Sequence, residues 1–304
     1  MMEIINYQGW PNCCRLSNGL IDLIVTTDFG PRVIRLGFIG QANEFYENKA
    51  WLGKIAPEGW VNYGGHRLWH APEAIPRSYQ SDNSPITVEA HGEFIRFIQP
   101  IEMATGIQKE MDIYLHPHKA EVKIVHRLQN HGLWAVQLAP WAVSVMAENG
   151  VAIIPLPHRG SHAANLLPNT VITTWAYTDM SDPRWTWGHR FIMLRQDPTA
   201  TTDQKCGLPG VAGWAAYARA NHLFVKQFTH QPDAIYPDFG SSMEFFTNPD
   251  ILEVESLAPL NLLEPTMTVE HVEQWSLFDH VPTPTTEAEI EQHILPVVKQ
   301  VLEI

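Results

Sequence analysis

The sequence predicts an all-β protein, a large two-sheet antiparallel sandwich that carries one helix at its C-terminus. Apolar and polar residues alternate with period two through most of the chain, and Gly, Pro, Asn and Asp separate the alternating runs. So many short strands in one antiparallel core imply two packed sheets. Since no internal repeat or long polar linker divides the chain, we expect residues 1–304 to form one domain.

The clearest strand pair lies at 107–115 and 120–130. Both runs alternate apolar and polar residues, as half-buried strands do. The segment between them, 116–119, contains Pro117, which presets a turn dihedral, so a hairpin is expected. Similar runs lie at 20–27, 31–38, 85–90, 93–98, 134–147, 170–176, 189–195, 211–219, 222–228, 252–257 and 267–278.

One helix is expected, at about 286–303. Thr286 and Glu289 form a capping-box pattern at its start, and Pro296 predicts a kink. Its apolar stripe indicates packing on the outside of a sheet, the alternative being a frayed tail. The stripe consists of Ile290, Ile294, Val297, Val298, Val301 and Leu302.

Charge and composition limit the partners. A net charge of −13 argues against nucleic acid and against an anionic membrane surface. The N-terminus lacks the pattern of a secretory signal, and no window of about 18 apolar residues predicts a membrane span. The 3 cysteines are interpreted as reduced thiols of a cytoplasmic protein. The surplus of Trp suits either a core or a sugar-binding surface.

The segment 64–73 (GGHRLWHAPE) concentrates polar and aromatic side chains after two glycines. Arg67 offers five fixed donors, Glu73 offers acceptors and Trp69 offers a stacking face, which together suit a polyhydroxylated ligand. The alternative is a loop in which Arg67 and Glu73 pair with each other.

A metal site in the same segment is the less favoured interpretation. His66 and His70 would share one face of a helix, but the glycines and Pro72 favour an extended chain, in which four residues span roughly 13 Å. No HExxH motif or cysteine-rich pair completes a zinc set. The prediction is a site without a metal or another cofactor.

A second cluster lies at 241–265, where Glu244, Glu253 and Glu255 stand among strong strand formers. A carboxylate on an inward face of a sandwich loses hydration, which raises its pKa toward the range useful to a general base. The alternative is an edge strand with its glutamates in water. The next strand, at 270–278, alternates so that one face carries His271, Glu273 and Trp275.

These two clusters, in this order and in an all-β chain of this length, resemble the aldose 1-epimerase (galactose mutarotase-like) superfamily. The closer resemblance is to an uncharacterised bacterial branch with GGHRLW early and E-S-x-x-P-L, then H-x-E-x-W, late. The resemblance covers about 15–280 and is specific at the two clusters. It implies a large antiparallel supersandwich with a sugar site in a concave cleft.

The resemblance carries over to single residues. Glu255 in LEVESLAPL matches the family's base, and Arg67 matches an arginine that holds sugar hydroxyls. The family's acid histidine has no counterpart, because Trp141 and its preceding proline stand in that motif and the segment 76–85 lacks the family's second histidine. The candidates to replace the acid are His66, His70 and His158.

The resulting prediction is a sugar-binding, aldose 1-epimerase-like protein with Glu255 as base and His66 or His70 as acid. In mutarotation a base takes the proton of the anomeric hydroxyl and an acid protonates the ring oxygen, so the ring opens and recloses without a cofactor. Two alternatives are a sugar-binding protein without catalysis and another sugar-active enzyme, such as a lyase or isomerase. The predicted substrate-binding residues are Arg67, Trp69, Glu73, Trp141, His158, Glu244 and Glu273.

Overall fold

The computed structural model describes residues 2–302, and antiparallel strands form most of it. In chain order they are β1 (Met2–Tyr7), β2 (Trp10–Ser17), β3 (Ile21–Thr26), β4 (Val33–Phe38), β5 (Gly65–Ala71), β6 (Thr87–Ala90), β7 (Ile95–Ile98), β8 (Ile107–Leu115), β9 (Glu121–Asn130), β10 (Val136–Met146), β11 (Val151–Pro155), β12 (Thr173–Thr174), β13 (Trp185–Trp187), β14 (Phe191–Arg195), β15 (Gln204–Leu208), β16 (Trp214–Arg219), β17 (His222–Phe228), β18 (Met243–Thr247), β19 (Leu252–Leu257), β20 (Asn261–Leu263) and β21 (Thr268–Phe278).

The strands form two large sheets. Sheet A has the order β1-β2-β3-β4-β5-β10-β19-β18-β15-β12, and β20 pairs with β10 beside this path. Sheet B has the order β13-β14-β11-β16-β17-β21-β9-β8-β7-β6. The predicted all-β antiparallel sandwich is therefore confirmed, and the hairpin expected at 107–130 is β8 and β9.

The main core lies between the two sheets. Alternate residues of each strand point inward, so that Phe97 and Ile124 of sheet B join Val25, Phe245 and Val254 of sheet A in one buried cluster. Each fully buried side chain of this size stabilises the fold by about 1.5–3 kcal/mol relative to an exposed one. The core thus fixes which face of every strand points away from the partner sheet.

Within the described residues the C-terminal helix is shorter than predicted, and position 303 of the predicted range lies outside them. It begins at Glu287–Glu289 behind the expected capping box, widens to a π-helical turn at Ile290–Ile294, and ends at Leu295–Val298. The widened turn directly precedes Pro296, which has no N–H to donate and whose ring crowds the carbonyl four residues earlier. No helix among residues 2–302 is long and apolar enough to cross a membrane.

The helix packs on the outer face of sheet B. Its Ile290, Ile294 and Val298 join Ile153 and Phe191 of that sheet in a second apolar cluster. The outer face of sheet B is thereby partly covered.

Two glycines place the start of β5 against its neighbours. Gly64 and Gly65 have φ angles of +94° and +70°. A Cβ on Gly65 would lie 2.5 Å from the carbonyl oxygen of Val33, and one on Gly64 would collide with the carbonyl of Tyr46. Only glycine combines this backbone conformation with this close approach.

Gly65→Ala is expected to lower the free energy of unfolding by more than about 2 kcal/mol, because a backbone clash adds to the roughly 1–2 kcal/mol cost of a left-handed conformation. Gly92→Ala is the matched control, since Gly92 has φ +75° but open space around it. Chemical denaturation measures both. Equal losses would show that the contact with Val33 contributes nothing.

Candidate functional site

The middle of sheet A brings together residues that are distant in sequence. Across β5, β10, β19 and β18, Arg67 pairs with Val143, Val143 with Glu255, and Glu255 with Glu244. The alternate residues of these strands, which point to the other side, pack in the core between the sheets. Because successive side chains alternate, this set points away from sheet B. We call it the Arg67–Glu255 face; its members are Arg67, Trp69, Trp141, Lys205, Glu244, Glu253 and Glu255.

Lys205 of β15 connects two carboxyl groups on this face. Its Nζ lies 2.8 Å from Oε2 of Glu244 and 3.4 Å from Oε2 of Glu255. The ammonium also lies 4.8 Å from the ring centroid of Trp141, whose indole N–H donates to Oε2 of Glu255 over 2.7 Å. The side chains of Lys205, Glu244 and Glu255 are at most 5% exposed, so water screens their interactions little.

Burial changes the proton affinity of these groups. It raises the pKa of Glu244 to about 8, although the Lys205 ammonium opposes the shift, and it also raises the pKa of Glu255. Burial alone would lower the pKa of Lys205, but the two carboxyl groups outweigh it and raise that pKa. One ammonium faces two carboxyl groups, so one of the two can hold a proton near neutral pH.

Arg67 provides a second cation on the same face. Its Nη2 donates to Oε1 of Glu253 over 3.1 Å, and its guanidinium lies 4.5 Å from the ring centroid of Trp69 and 5.5 Å from that of Trp60. Arg67 is 3% exposed. Stacking and the ion pair hold the guanidinium plane in one orientation.

Aromatic side chains from irregular segments cover this face. Trp60 and Tyr79 both pack edge-on against Trp69, with centroid distances of 5.2 and 5.0 Å. The ring centroid of Trp175 lies 4.7 Å from the Lys205 ammonium. Tyr177, two residues further on, is 45% exposed. The cover is therefore made of large flat rings and is open to solvent at its margin.

Glu73 lies at the rim of the face. It is exposed, and it accepts a hydrogen bond from the hydroxyl of Tyr79. Its negative charge adds to that of Glu244 and Glu255 in raising the pKa of Lys205 against the effect of burial, and it adds to burial in raising the pKa of Glu255. Glu73 thus belongs electrostatically to the Arg67–Glu255 face.

Several buried polar atoms of this region have no hydrogen-bond partner within residues 2–302. A buried polar atom without a partner is costly, typically by about 1–3 kcal/mol. Donors and acceptors are both present among them, and flat indole rings lie alongside. These atoms are Nε and Nη1 of Arg67, Oε1 of Glu244, Oε1 of Glu255 and Nε1 of Trp60.

The structure places His66 and Glu273 elsewhere, which corrects the expectation that they share a cleft with Glu255. His66 alternates with Arg67 on β5 and therefore points between the sheets, where it is 0% exposed. Glu273 of β21 reaches the same interior position from sheet B, with its Oε2 3.9 Å from Nε2 of His66. Sheet A itself separates this pair from the Arg67–Glu255 face.

The interior pair belongs to a buried hydrogen-bond network. Nδ1–H of His126 donates to the carbonyl of His271, so the neutral ring accepts at Nε2 from Nε2–H of His66 over 2.7 Å. The hydroxyl of Ser144 lies 2.9 Å from Nδ1 of His66 and completes the chain as a donor. This tautomer assignment satisfies every ring nitrogen of the two histidines.

Glu273 is held by one ammonium and two further hydrogen-bond donors. Nζ of Lys226 lies 2.9 Å from Oε1, the indole N–H of Trp275 donates to Oε2 over 2.8 Å, and the hydroxyl of Ser256 donates to Oε1. Burial alone would raise the pKa of Glu273, but Lys226 and the neighbouring imidazoles lower it instead. The carboxylate is therefore an ionised structural partner of Lys226.

His66, His126 and Glu273 also form a group whose ligand atoms all lie within 4.8 Å of one another. The residue types suit a divalent transition metal. However, two imidazoles on one zinc hold their nitrogens about 3.3 Å apart, given Zn–N bonds of about 2.0–2.1 Å, and here the 2.7 Å contact is a hydrogen bond. Lys226 also forms an ion pair with Glu273. These residues therefore fit the hydrogen-bond network better than they fit a metal site.

His70 and His158 lie apart from Glu255 as well. His70 shares the inward side of β5 with His66, and its Nε2 lies 3.5 Å from Oε2 of Glu102, which also pairs with Lys109. His158 is exposed in the segment that follows β11 of sheet B. Neither lies on the Arg67–Glu255 face.

Sequence reasoning missed Lys205, Trp60 and Tyr79. β15 is buried at all five positions, so no alternation shows that Lys205 points to a different side from Cys206. The strand reads QKCGL, without an apolar–polar alternation that would single out Lys205. Trp60 and Tyr79 stand in irregular segments, where no periodicity predicts their position.

Neither a protein-family model nor a curated protein sequence matches the chain. The two sheets instead define a galactose mutarotase-like fold. A galactose mutarotase-like protein from Lactobacillus casei is 8% identical, with a TM-score of 0.58 over 88% of this chain and 100% of its own. One from Clostridium acetobutylicum is 11% identical, with a TM-score of 0.56 over 92% and 98%. A galactose mutarotase related enzyme from Lactobacillus acidophilus is 9% identical, with a TM-score of 0.51 over 94% and 100%.

The buried histidines predict a pH-dependent stability. Burial lowers the pKa of His126 to about 4 in the folded protein. As pH falls below about 6.5, the unfolded chain therefore binds a proton at His126 before the folded protein does. The folded protein loses stability as pH falls from about 6.5 to about 4. In His126→Asn this contribution is absent. The difference in unfolding free energy between wild type and variant should shrink by about 1.4 kcal/mol per pH unit across this window.

Urea denaturation at several pH values measures the difference. His118→Gln, at an exposed position, is the control and should differ from wild type by a constant amount. A His126→Asn difference that is independent of pH would contradict the assignment of His126 as a neutral buried imidazole.

Proposed function

We propose that the protein binds a monosaccharide on the Arg67–Glu255 face and interconverts its anomers, as an aldose 1-epimerase does. The observation that carries the proposal is the set of buried donors and acceptors that lack partners within residues 2–302, beside several indole rings. Sugar hydroxyls both donate and accept, and a pyranose presents a C–H face to an indole, so such a ligand would satisfy this set.

In the proposed reaction Glu255 is the general base. Its Oε2 accepts from the indole N–H of Trp141, while Oε1 has no hydrogen-bond partner in the described part of the chain and can take the proton of the anomeric hydroxyl. Its raised pKa increases its basicity. Arg67, fixed by Glu253 and Trp69, would hold neighbouring hydroxyls.

Access to this site requires movement of the aromatic cover. Glu255 is fully buried beneath it. Trp60 and Tyr79 come from segments without regular structure, and one side of the cover, Tyr177, is half exposed. Loop segments of this kind open more readily than paired strands.

A sugar-binding protein without catalysis is the second candidate. It is favoured by the position of His66 and His70, which point to the inner side of β5 and cannot deliver a proton to a sugar beside Glu255. The two candidates share the same binding site and differ only in whether anomers are exchanged.

Arg67→Ala is expected to weaken monosaccharide binding by about 1.5–3 kcal/mol, the value of a hydrogen bond from a charged donor. Isothermal titration with a panel of aldoses and their 6-phosphates measures the loss. Arg190→Ala is the control, because Arg190 is half exposed and pairs with Glu291 of the C-terminal helix. Equal affinity of wild type and Arg67→Ala would exclude this face as the binding site.

Glu255→Gln retains the shape of the side chain and removes its basicity. It should leave binding nearly intact and slow anomer exchange by at least about 10²-fold, the lower end for a general base. Exchange spectroscopy by NMR on the same panel measures this rate. If wild type binds a sugar and no sugar exchanges faster than in buffer, the non-catalytic candidate is correct. If the variant exchanges as fast as wild type, Glu255 is not the base.

A further inference from the structure

The proposed reaction needs a proton donor for the ring oxygen, and no histidine of the segment 64–73 faces the sugar side of sheet A. We propose that Glu244 is this donor and that Glu244 and Glu255 act as a carboxylic acid–carboxylate pair. The proposal rests on the proposed function. It names a carboxylic acid as the proton donor, whereas an imidazole was expected from the sequence.

The register of the sheet puts the two carboxyl groups side by side. Glu244 of β18 and Glu255 of β19 are directly paired across adjacent strands, so their side chains leave the same face as nearest neighbours. Both side chains are buried, and each keeps Oε1 without a hydrogen-bond partner within residues 2–302. Two free oxygens on neighbouring strands can reach two adjacent atoms of one ligand.

Lys205 fixes the other oxygen of each carboxyl group. Its Nζ lies within 3.4 Å of Oε2 of both glutamates. Lys205 thus orients both carboxyl groups through Oε2, and the two Oε1 atoms remain available to a ligand. On the next strand Gly207 stands opposite Glu244, and a Cβ there would lie 3.2 Å from Cγ of Glu244. The absence of a side chain at Gly207 gives Glu244 its room.

The charges around the pair favour one proton on it. One ammonium, that of Lys205, faces both carboxyl groups, while the negative charges of Asp238 and Glu255 act on Glu244. The indole N–H of Trp141 donates only to Glu255, and this stabilises the negative charge there. Further charged groups that act on Glu255 are Glu253 and Glu73, and Arg67 is the nearby cation.

Glu244 is therefore the member of the pair that holds a proton near neutral pH. Burial, opposed by Lys205, raises its pKa to about 8. An acid whose pKa is near the operating pH exists in its protonated form and still transfers its proton readily. Two interacting carboxyl groups that share one proton divide the roles of acid and base in this way.

The proton balance closes within the pair. Glu255 takes the proton from the C1 hydroxyl while Glu244 gives its proton to the ring oxygen, the C1–O5 bond breaks, and a carbonyl forms at C1. After rotation about C1–C2, Glu244 recovers the proton from the C5 hydroxyl as O5 attacks C1, and Glu255 returns its proton to O1. No cofactor or further reactant takes part, and the enzyme regains its starting state.

Glu244→Gln tests the assignment through the pH profile of anomer exchange. In wild type the rate should fall as pH rises through about 8, because Glu244 then loses its proton. In the variant the rate should be lower by about 10²-fold and this alkaline fall should be absent. Glu255→Gln should keep an alkaline fall, moved to lower pH, because the negative charge of Glu255 contributes to the raised pKa of Glu244. A purely structural role of Glu244 would lower the rate without removing the fall.

Glu93→Gln, at an exposed position between β6 and β7, is the control. Thermal unfolding and a sugar-binding titration of each variant show that it is folded. Glu244→Asp keeps an ionisable group and should restore part of the rate together with the alkaline fall. If wild type exchanges anomers and Glu244→Gln keeps the wild-type rate or its alkaline fall, Glu244 is not the acid, while the proposed function stands. If wild type exchanges no sugar above buffer, both proposals fail.

Discussion

The pairing register of β10 with β5 and β19 is the constraint on which the rest of the molecule depends. It aligns Arg67 with Val143 and Val143 with Glu255. A shift by one residue would exchange the two faces of a strand and bring His66 or Ser256 outward. Register here therefore determines both the composition of the outer polar face and the hydrogen-bond network inside, and the apolar core on the inner side enforces it.

Each side of these central strands carries a buried lysine. Lys226 lies between the sheets, where it binds Glu273 and the carbonyl of Val254. Lys205 lies on the outer side with two carboxyl groups. Desolvating an ammonium costs several kcal/mol unless close partners compensate. The inner lysine faces one carboxylate whose oxygens also accept other hydrogen bonds, as in a structural ion pair. The outer lysine faces two carboxyl groups, each with one oxygen that has no hydrogen-bond partner among the described residues.

The sequence predicted the fold well wherever one side of a strand faces the core and the other faces solvent. The predicted strand at 107–115 is β8 with the same bounds, and the expected two-sheet sandwich is present. Prediction was weaker at β5, where all seven residues are buried. With both faces covered, polarity no longer distinguishes inside from outside, so the sequence could not show that His66 and Arg67 point in opposite directions.

The glutamates show the same limit. Alternation correctly separated Glu253 and Glu255 from Ser256 in β19. Alternation within β21 correctly grouped Glu273 with Trp275. Which of the two sheets contains β21 depends on its pairing with a strand far away in sequence, and alternation does not show that pairing. The sequence could not predict the position of Lys205 in the site for the same reason, because its partners come from two other strands. Local period gives the face of a strand, and only the long-range register gives the neighbours of that face.

The hydrogen bond between Tyr79 and Glu73 links the aromatic cover to the chemistry beneath it. Glu73 acts through its charge on Glu255, so moving the covering segment away lowers the proton affinity of Glu255. By reciprocity, a protonated Glu255 favours the closed position of that segment. In the proposed function, opening and proton release are thus linked equilibria, and the rate of sugar entry would depend on the protonation state of the buried carboxyl group.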